Sequence, residues 1–250
     1  MRFSTVFVCT AFAAAHFLLP SSADATPYAS AVSEDSGTVS FTLNEDADSV
    51  IVRRTGDADL DLGALTKGSQ SFPLGAASAY EIEVRKSTAV GWSQISDDSS
   101  TFNHFFIPRG VAVNRNPASP FFGTVYVAEG SGGAVTAPPN AGRETLEGIY
   151  ALGADGSDVF GLGDDSAFGN VDWDVTGENS PFRIHVAPDD SIYIADWSDT
   201  HSGVWRAPAN LADSPDWPNV LANNNRQSTG LTDNHGSISS VWVEGTGANT

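Results

Sequence analysis

Two carboxylates occupy equivalent places in a pair of matching sequence phrases. Glu129 ends the run Val125-Tyr-Val-Ala-Glu129, and Asp196 ends the run Ile192-Tyr-Ile-Ala-Asp196. Carboxylates at the ends of neighbouring strands could hold Ca²⁺ or another divalent cation, or bind a substrate hydroxyl. They could instead accept backbone N–H bonds in the turn after each strand, which is the commoner use. We therefore expect a structural role and keep Glu129 and Asp196 as metal candidates.

A histidine in a neighbouring run is the third metal candidate. His185 lies in Pro181-Phe-Arg-Ile-His-Val186, where the matching run Pro108–Val113 has an alanine. A lone histidine between aliphatic residues is more often packed and hydrogen-bonded than a base or a ligand. The sequence has no Gly-x-Ser-x-Gly motif and no paired histidine spacing typical of zinc. It therefore nominates no catalytic residue and no cofactor beyond a divalent cation.

Two tryptophans in long loops are the candidates for a ligand surface. Trp173 and Trp217 fall between the strand phrases, in segments rich in acidic residues, proline and asparagine. Loops carry much of the binding in proteins, and an exposed indole can stack on a ligand. By contrast, Trp197, Trp205 and Trp242 lie in or beside strand phrases, where packing is the expected role. We therefore expect Trp173 and Trp217 to face a partner.

The elements that must position these residues are strands. Alternating apolar and polar residues, with glycine and Asp/Asn/Ser turns, run through most of the chain, and helical periodicity is nearly absent. The two phrases continue into third strands, Gly148-Ile-Tyr-Ala-Leu152 and Gly203-Val-Trp-Arg-Ala207, and Ser239-Ser-Val-Trp-Val243 begins the pattern a third time. This pattern predicts an all-β protein whose repeat units bury their faces against one another.

Residues 1–25 have the features of an export signal. Arg2 precedes an apolar run from Val6 to Leu19, and small residues up to Ala25 suit cleavage there. The run is too short to span a bilayer, and no other stretch of the sequence is apolar enough to do so. We expect a signal peptide and a mature protein that is secreted, periplasmic or at the cell surface.

Charge and cysteine content restrict the partners and the means of stabilisation. The only cysteine, Cys9, lies inside the predicted signal, so the mature chain has no disulfides. The formal net charge of -19 repels phosphate backbones and anionic lipid headgroups. We therefore expect no nucleic acid and no membrane span, and a protein or a glycan as partner.

The first part of the mature chain resembles a known module. The strand Val50-Ile-Val-Arg53, the stretch Leu60–Phe72 and the closing strand Tyr80-Glu-Ile-Glu-Val84 resemble the Ig-like module of the flagellar hook-capping protein family, which occurs in many exported bacterial proteins. The resemblance implies a small Ig-like β-sandwich over residues 26–92 that acts in spacing or adhesion, with no catalytic residues to transfer.

The second part resembles a propeller. Pro108–Val113 with Val125–Glu129, and Ile184–Asp196 more closely, resemble the strand phrases of NHL-type six-bladed propellers and of the related gluconolactonase-type propellers. After a polar linker at 93–104, residues 105–250 would form about two and a half blades. Because a propeller needs four to eight blades, we expect an incomplete propeller in an N-terminal fragment, with the remaining blades downstream.

Two functions remain open. The first hypothesis is an exported, non-enzymatic surface or extracellular protein for binding or adhesion, which presents acidic propeller loops to a protein or glycan partner. The alternative, which the resemblance suggests, is a gluconolactonase-type hydrolase or lyase, in which a divalent metal in the propeller channel polarises a lactone or sugar carbonyl. Of the innermost strand residues, only His185, with Asn114 nearby, offers chemistry for that alternative.

Overall fold

A computed structural model of the chain describes residues 27–87, 105–134, 144–159, 171, 173, 180–197, 203–212, 215–221 and 238–245. The predicted signal peptide at 1–25 and the predicted linker at 93–104 lie outside these ranges, as do large parts of the long loops. The prediction of an all-β protein is confirmed, because strands in several small antiparallel sheets build the structure. No helix in the described part of the chain is long and apolar enough to cross a membrane.

The first six strands form two facing antiparallel sheets, which we call the sandwich. The strands are Ala29–Asp35 (β1), Thr38–Leu43 (β2), Ala47–Thr55 (β3), Leu60–Leu65 (β4), Gly68–Pro73 (β5) and Ala79–Arg85 (β6). Their order is β1-β2-β5 in one sheet and β4-β3-β6 in the other.

The alternation of the sequence determines which face of each sandwich strand is buried. Val39, Phe41 and Leu43 of β2 point into one apolar core together with Val50 and Val52 of β3, because successive side chains of a strand leave opposite faces. The edge strands are only half covered. Val32 of β1 and the alternate residues of β6 are partly buried against the same core.

Two further three-stranded sheets follow the sandwich and contain the repeated phrases. We call them repeat sheet 1 and repeat sheet 2. Repeat sheet 1 has the order β11-β8-β7 and repeat sheet 2 the order β12-β13-β14. Their strands are Pro108–Val113 (β7), Val125–Glu129 (β8), Gly148–Leu152 (β11), Arg183–Val186 (β12), Ile192–Asp196 (β13) and Gly203–Ala207 (β14), and a two-stranded ribbon of Gly133–Ala134 (β9) and Glu144–Thr145 (β10) lies between β8 and β11 in the chain.

The two repeat sheets pack face to face around a shared core. Tyr126, Ala128 and Ile149 of repeat sheet 1 meet Ile192 and Ile194 of repeat sheet 2. At one edge the backbones approach closely: a Cβ placed on Gly110 of β7 would lie 3.0 Å from the Cα of Arg183 in β12. The missing side chain of glycine therefore allows the close approach of the first strands of the two sheets.

The third start of the repeat lies against the other face of repeat sheet 2. Val241 and Val243 pack on Ala187, Tyr193 and Val204. The expectation that 239–243 forms a strand is not met within the described residues, where this segment makes no ladder with another strand. A strand needs a ladder of main-chain hydrogen bonds with a neighbouring strand, and within the described residues this segment has none.

Candidate functional site

Glu129 is fully buried and spends its carboxylate on the backbone. Its Oε1 accepts a hydrogen bond from the N–H of Ile107 at 2.7 Å, and its Oε2 accepts one from Phe106 at 2.8 Å. Burial raises the pKa of Glu129, while the backbone N–H bonds act in the opposite direction. Both oxygens thus bind the segment that leads into β7, so Glu129 acts as a structural acceptor.

Asp196, in the equivalent place, is also fully buried but uses side-chain donors. Its Oδ1 accepts from the hydroxyl of Ser180 at 2.5 Å, and its Oδ2 accepts from the indole N–H of Trp205 at 3.2 Å. The Ser180 hydroxyl oxygen in turn accepts the backbone N–H of Trp197 at 3.0 Å. The carboxylate is thus the centre of a packed network within repeat sheet 2.

His185 takes part in packing at the third start of the repeat. Its Nε2 lies 3.1 Å from the carbonyl oxygen of Val243, and its ring centroid lies 4.4 Å from that of Trp242. Because a carbonyl only accepts, Nε2 carries the proton in this contact. The structure does not bring the three metal candidates together, and no group of three His, Cys, Asp or Glu side chains among the described residues is arranged to hold a metal ion.

A polar cluster that the sequence did not predict joins the two repeat sheets. The side-chain amides of Asn114 and Asn116 each donate to Oδ1 of Asp190 at 3.0 Å. Their amide oxygens are taken by the backbone N–H groups of Asn116 and Ala118, at 3.0 and 3.1 Å. A hard cation needs oxygen ligands, but these amides direct N–H groups inward. The cluster therefore links the sheets and does not form an oxygen cage.

The two tryptophans expected on a ligand surface are in the core. Trp173 has 0% of its surface exposed and Trp217 has 3%. Both pack between the repeat sheets, and the indole N–H of Trp217 donates to the carbonyl of Ala212 at 2.9 Å. The expectation of exposure was wrong because both indole rings lie in the apolar gap between the sheets, where large rings are buried most favourably.

A cleft of about 660 Å³ lies where the sandwich meets repeat sheet 1. Its size is typical of ligand sites. Strand β1 borders one side, strand β6 the other, and the loop before β8 forms one end. The lining includes Pro27, Tyr28, Ala29, Val32, Tyr80, Glu81, Ile82, Val84, Pro117, Ala118, Ser119 and Phe122.

Contacts between β1 and the loop hold this end of the cleft in place. The backbone N–H of Ala31 donates to the carbonyl of Phe122 at 2.9 Å. The ring of Tyr28 meets that of Phe122 edge to face, with centroids 5.8 Å apart. Gly123 is needed beside them, since a Cβ there would lie 2.6 Å from the Cβ of Ser30. The cleft is thus built by main-chain and ring contacts between the two parts of the chain.

The chemistry of the lining suits binding more than catalysis. Burial raises the pKa of Tyr28, and burial together with the charge of Glu34 raises the pKa of Tyr80. Both phenols therefore stay neutral donors at physiological pH. Among the described lining residues Glu81 is the one carboxylate, and it is exposed, with no histidine or cysteine beside it. The lining therefore offers no acid–base pair.

Comparison with protein families, with curated proteins and with solved structures finds no match for this chain. Function must therefore be argued from the site. Sequence reasoning missed the cleft because its two walls lie far apart in the chain. The alternation of Tyr80, Ile82 and Val84 was the available signal.

Proposed function

We propose that this chain is an exported, non-enzymatic protein for binding or adhesion, and that the cleft between the sandwich and repeat sheet 1 is its binding site. The observation that carries the proposal is the lining of that cleft, which combines aromatic rings, aliphatic side chains and neutral hydroxyls. Export rests on the signal-like sequence at 1–25, which also motivates a secreted, periplasmic or cell-surface location.

In this proposal the sandwich is an Ig-like module and the repeat sheets are propeller blades. Support for the blades comes from their packing. Repeat sheet 1 packs on one face of repeat sheet 2, and the third start of the repeat packs on the opposite face of repeat sheet 2. Most of the acidic loop at 161–180 and parts of the loops at 130–147 and 208–236 lie outside the described residues. The cleft is proposed as the binding surface on the strength of its own lining.

The alternative of a metal-dependent hydrolase or lyase has less support from the side chains. Glu129 and Asp196 already spend their oxygens on protein donors, and the ring of His185 packs on Trp242. The asparagine amides beside Asp190 present N–H groups and not oxygens.

The test compares two alanine substitutions, one of a tyrosine in the cleft and one of a tryptophan outside it, in the purified mature chain. Binding to a glycan array and to an array of extracellular peptides is measured for the wild type, for Tyr28→Ala and for Trp242→Ala. Tyr28 is 37% exposed inside the cleft, and Trp242 is 72% exposed away from it. We expect ligands whose binding falls more than about tenfold in Tyr28→Ala and is unchanged in Trp242→Ala.

Two results would contradict the proposal. The first is lactone or sugar-ester hydrolysis that follows added divalent metal and is lost on replacing Asp190. The second is a set of bound ligands that Tyr28→Ala and Trp242→Ala affect equally.

A further inference from the structure

We propose that the cleft takes an extended segment of a partner protein, which adds as a strand to the free edge of β6. This inference rests on the proposed binding function and specifies its ligand. The segment would alternate aliphatic and basic side chains.

Among the described residues, the main-chain groups of β6 have no strand partner on one side. In the described structure β6 is paired with β3 and with no other strand, so it forms the edge of the sheet β4-β3-β6. Facing it across the cleft, β1 is the edge of the other sheet, and its Ala31 N–H is already bound by the Phe122 carbonyl. An unpaired edge presents a row of N–H and C=O groups that an extended chain can pair with. Among the described residues, β6 therefore offers an edge at the cleft without such a main-chain contact, whereas β1 is already bound at Ala31.

Side chains beside this edge fit a strand better than a compact ligand. Tyr80, Ile82 and Val84 leave β6 on the same face and are each half-buried in the sandwich core, with Val32 of β1 opposite them. An added strand places every second side chain on that face. Aliphatic side chains at those positions would complete the apolar cover that the core lacks between the two edge strands.

The charge of the outer face specifies the other positions of the segment. Glu81 and Glu83 leave β6 on its outer face, and Arg53 and Arg85 already bind Glu83. Glu81 is exposed and makes no ion pair among the described residues. Basic side chains of the segment would lie beside it, and the formal net charge of -19 favours their approach.

The experiment uses backbone N-methylation to separate strand pairing from apolar docking. The probe is an eight-residue peptide of alternating valine and lysine, whose binding to the full chain is measured by calorimetry. Two modified peptides are compared, one N-methylated at all valines and one at all lysines. In an antiparallel pair, only alternate residues direct their N–H groups at the partner strand.

We expect the unmodified peptide to bind and one methylated set alone to lose affinity, by at least about tenfold for the several hydrogen bonds removed. Ile82→Lys should abolish binding, while Leu62→Lys should leave it unchanged. Leu62 is the matched control, because it is a half-buried aliphatic residue on the opposite edge strand of the same sheet. Circular dichroism checks that both variants are folded.

Each other outcome overturns strand addition. Equal effects of the two methylated sets would show docking without main-chain pairing. No binding of the peptide, together with Tyr28-dependent binding on the arrays, would overturn strand addition and leave the proposed function standing. No binding in either experiment would overturn both.

Discussion

Repeat sheets 1 and 2 share one sequence phrase but satisfy its polar groups differently. The hydroxyl of Tyr126 in β8 donates to the carbonyl of Ala209 at 2.6 Å, across the shared core and just beyond the end of repeat sheet 2. Tyr193 has the same place in β13, and its buried hydroxyl has no hydrogen-bond partner in the described structure. The acceptor of the Tyr126 hydroxyl therefore comes from the next repeat unit along the chain, and the shared sequence phrase does not itself contain an acceptor for its tyrosine.

The carboxylates of the two sheets show a related difference. Glu129 reaches the backbone N–H groups of Phe106 and Ile107 directly. Asp196 is one methylene shorter, and Ser180, in the place that corresponds to Ile107, brings a hydroxyl to it. The Ser180 hydroxyl thus makes up for the shorter side chain of Asp196. In both sheets a carboxylate at the end of the second strand is an anchor, which here means that it binds the segment before the first strand, but the donor groups differ.

The largest expected effect is the loss of the Glu129 anchor. Glu129→Ala removes the acceptor of the Phe106 and Ile107 N–H groups, and bonds to a carboxylate are worth roughly 1.5 to 3 kcal/mol each. We expect the free energy of unfolding to fall by about 3 to 5 kcal/mol, as measured by urea denaturation. Asp196→Ala should cost less, about 2 kcal/mol, because the Ser180 hydroxyl can rotate to another acceptor.

The control for this prediction is Glu81→Ala, which removes an exposed carboxylate and should change stability by less than about 0.5 kcal/mol. Equal losses for Glu129→Ala and Asp196→Ala would contradict the difference drawn between the two anchors.

The next effect concerns equivalent positions in the first strands of the two sheets. Gly110→Ala would place a Cβ 3.0 Å from backbone atoms of Phe182 and Arg183, so the sheets must separate. We expect a loss of about 1 to 3 kcal/mol in urea denaturation. Arg183→Ala at the matching position of repeat sheet 2 removes an exposed side chain that lies over the Phe182 ring, and should cost less than about 1 kcal/mol. A tolerated Gly110→Ala would show that the contact between the sheets is looser than the structure describes.

Features that depend on local pattern could be predicted from the sequence. The strand phrases at 125–129, 192–196 and 203–207 match β8, β13 and β14, because a short run of β-branched and aromatic residues bounded by turn residues is contained within a few positions. For Glu129, the pattern predicted that the carboxylate accepts backbone N–H groups in the turn after its strand. Its carboxylate accepts the N–H of Ser131 in that turn and also the N–H groups of Phe106 and Ile107, which precede β7, because the sheet brings the chain back to the strand end.

Features that depend on contacts between distant segments could not be predicted. The side chains of Asn114 and Asp190 meet across 76 positions of the chain. The burial of Trp217 follows from the apolar gap between two sheets, which no single segment reveals. The cleft is bordered by β1 and β6, which are the first and last strands of the sandwich in the chain. Each of these features is a property of packing between units.

The smallest expected effect is the loss of one tyrosine hydroxyl, which should change the free energy of unfolding in different directions at Tyr126 and Tyr193. Tyr126→Phe removes a hydrogen bond and leaves the buried Ala209 carbonyl without that donor, so it should lower the free energy of unfolding by about 1 to 2 kcal/mol. Tyr193→Phe removes a buried hydroxyl that has no partner in the described structure. Because that hydroxyl carries only the cost of its desolvation, we expect no loss, or a gain of up to about 1 kcal/mol.

Urea denaturation of the two single variants and of the double variant tests this difference. The two hydroxyls lie on different sides of repeat sheet 2, since Tyr126 packs in the core between the sheets and Tyr193 against the third start. Their effects should therefore add. A loss at Tyr193 as large as the loss at Tyr126 would mean that the Tyr193 hydroxyl has an acceptor in solution. The contrast between the two sheets would then lie in the acceptor that each tyrosine uses, and no longer in whether it has one.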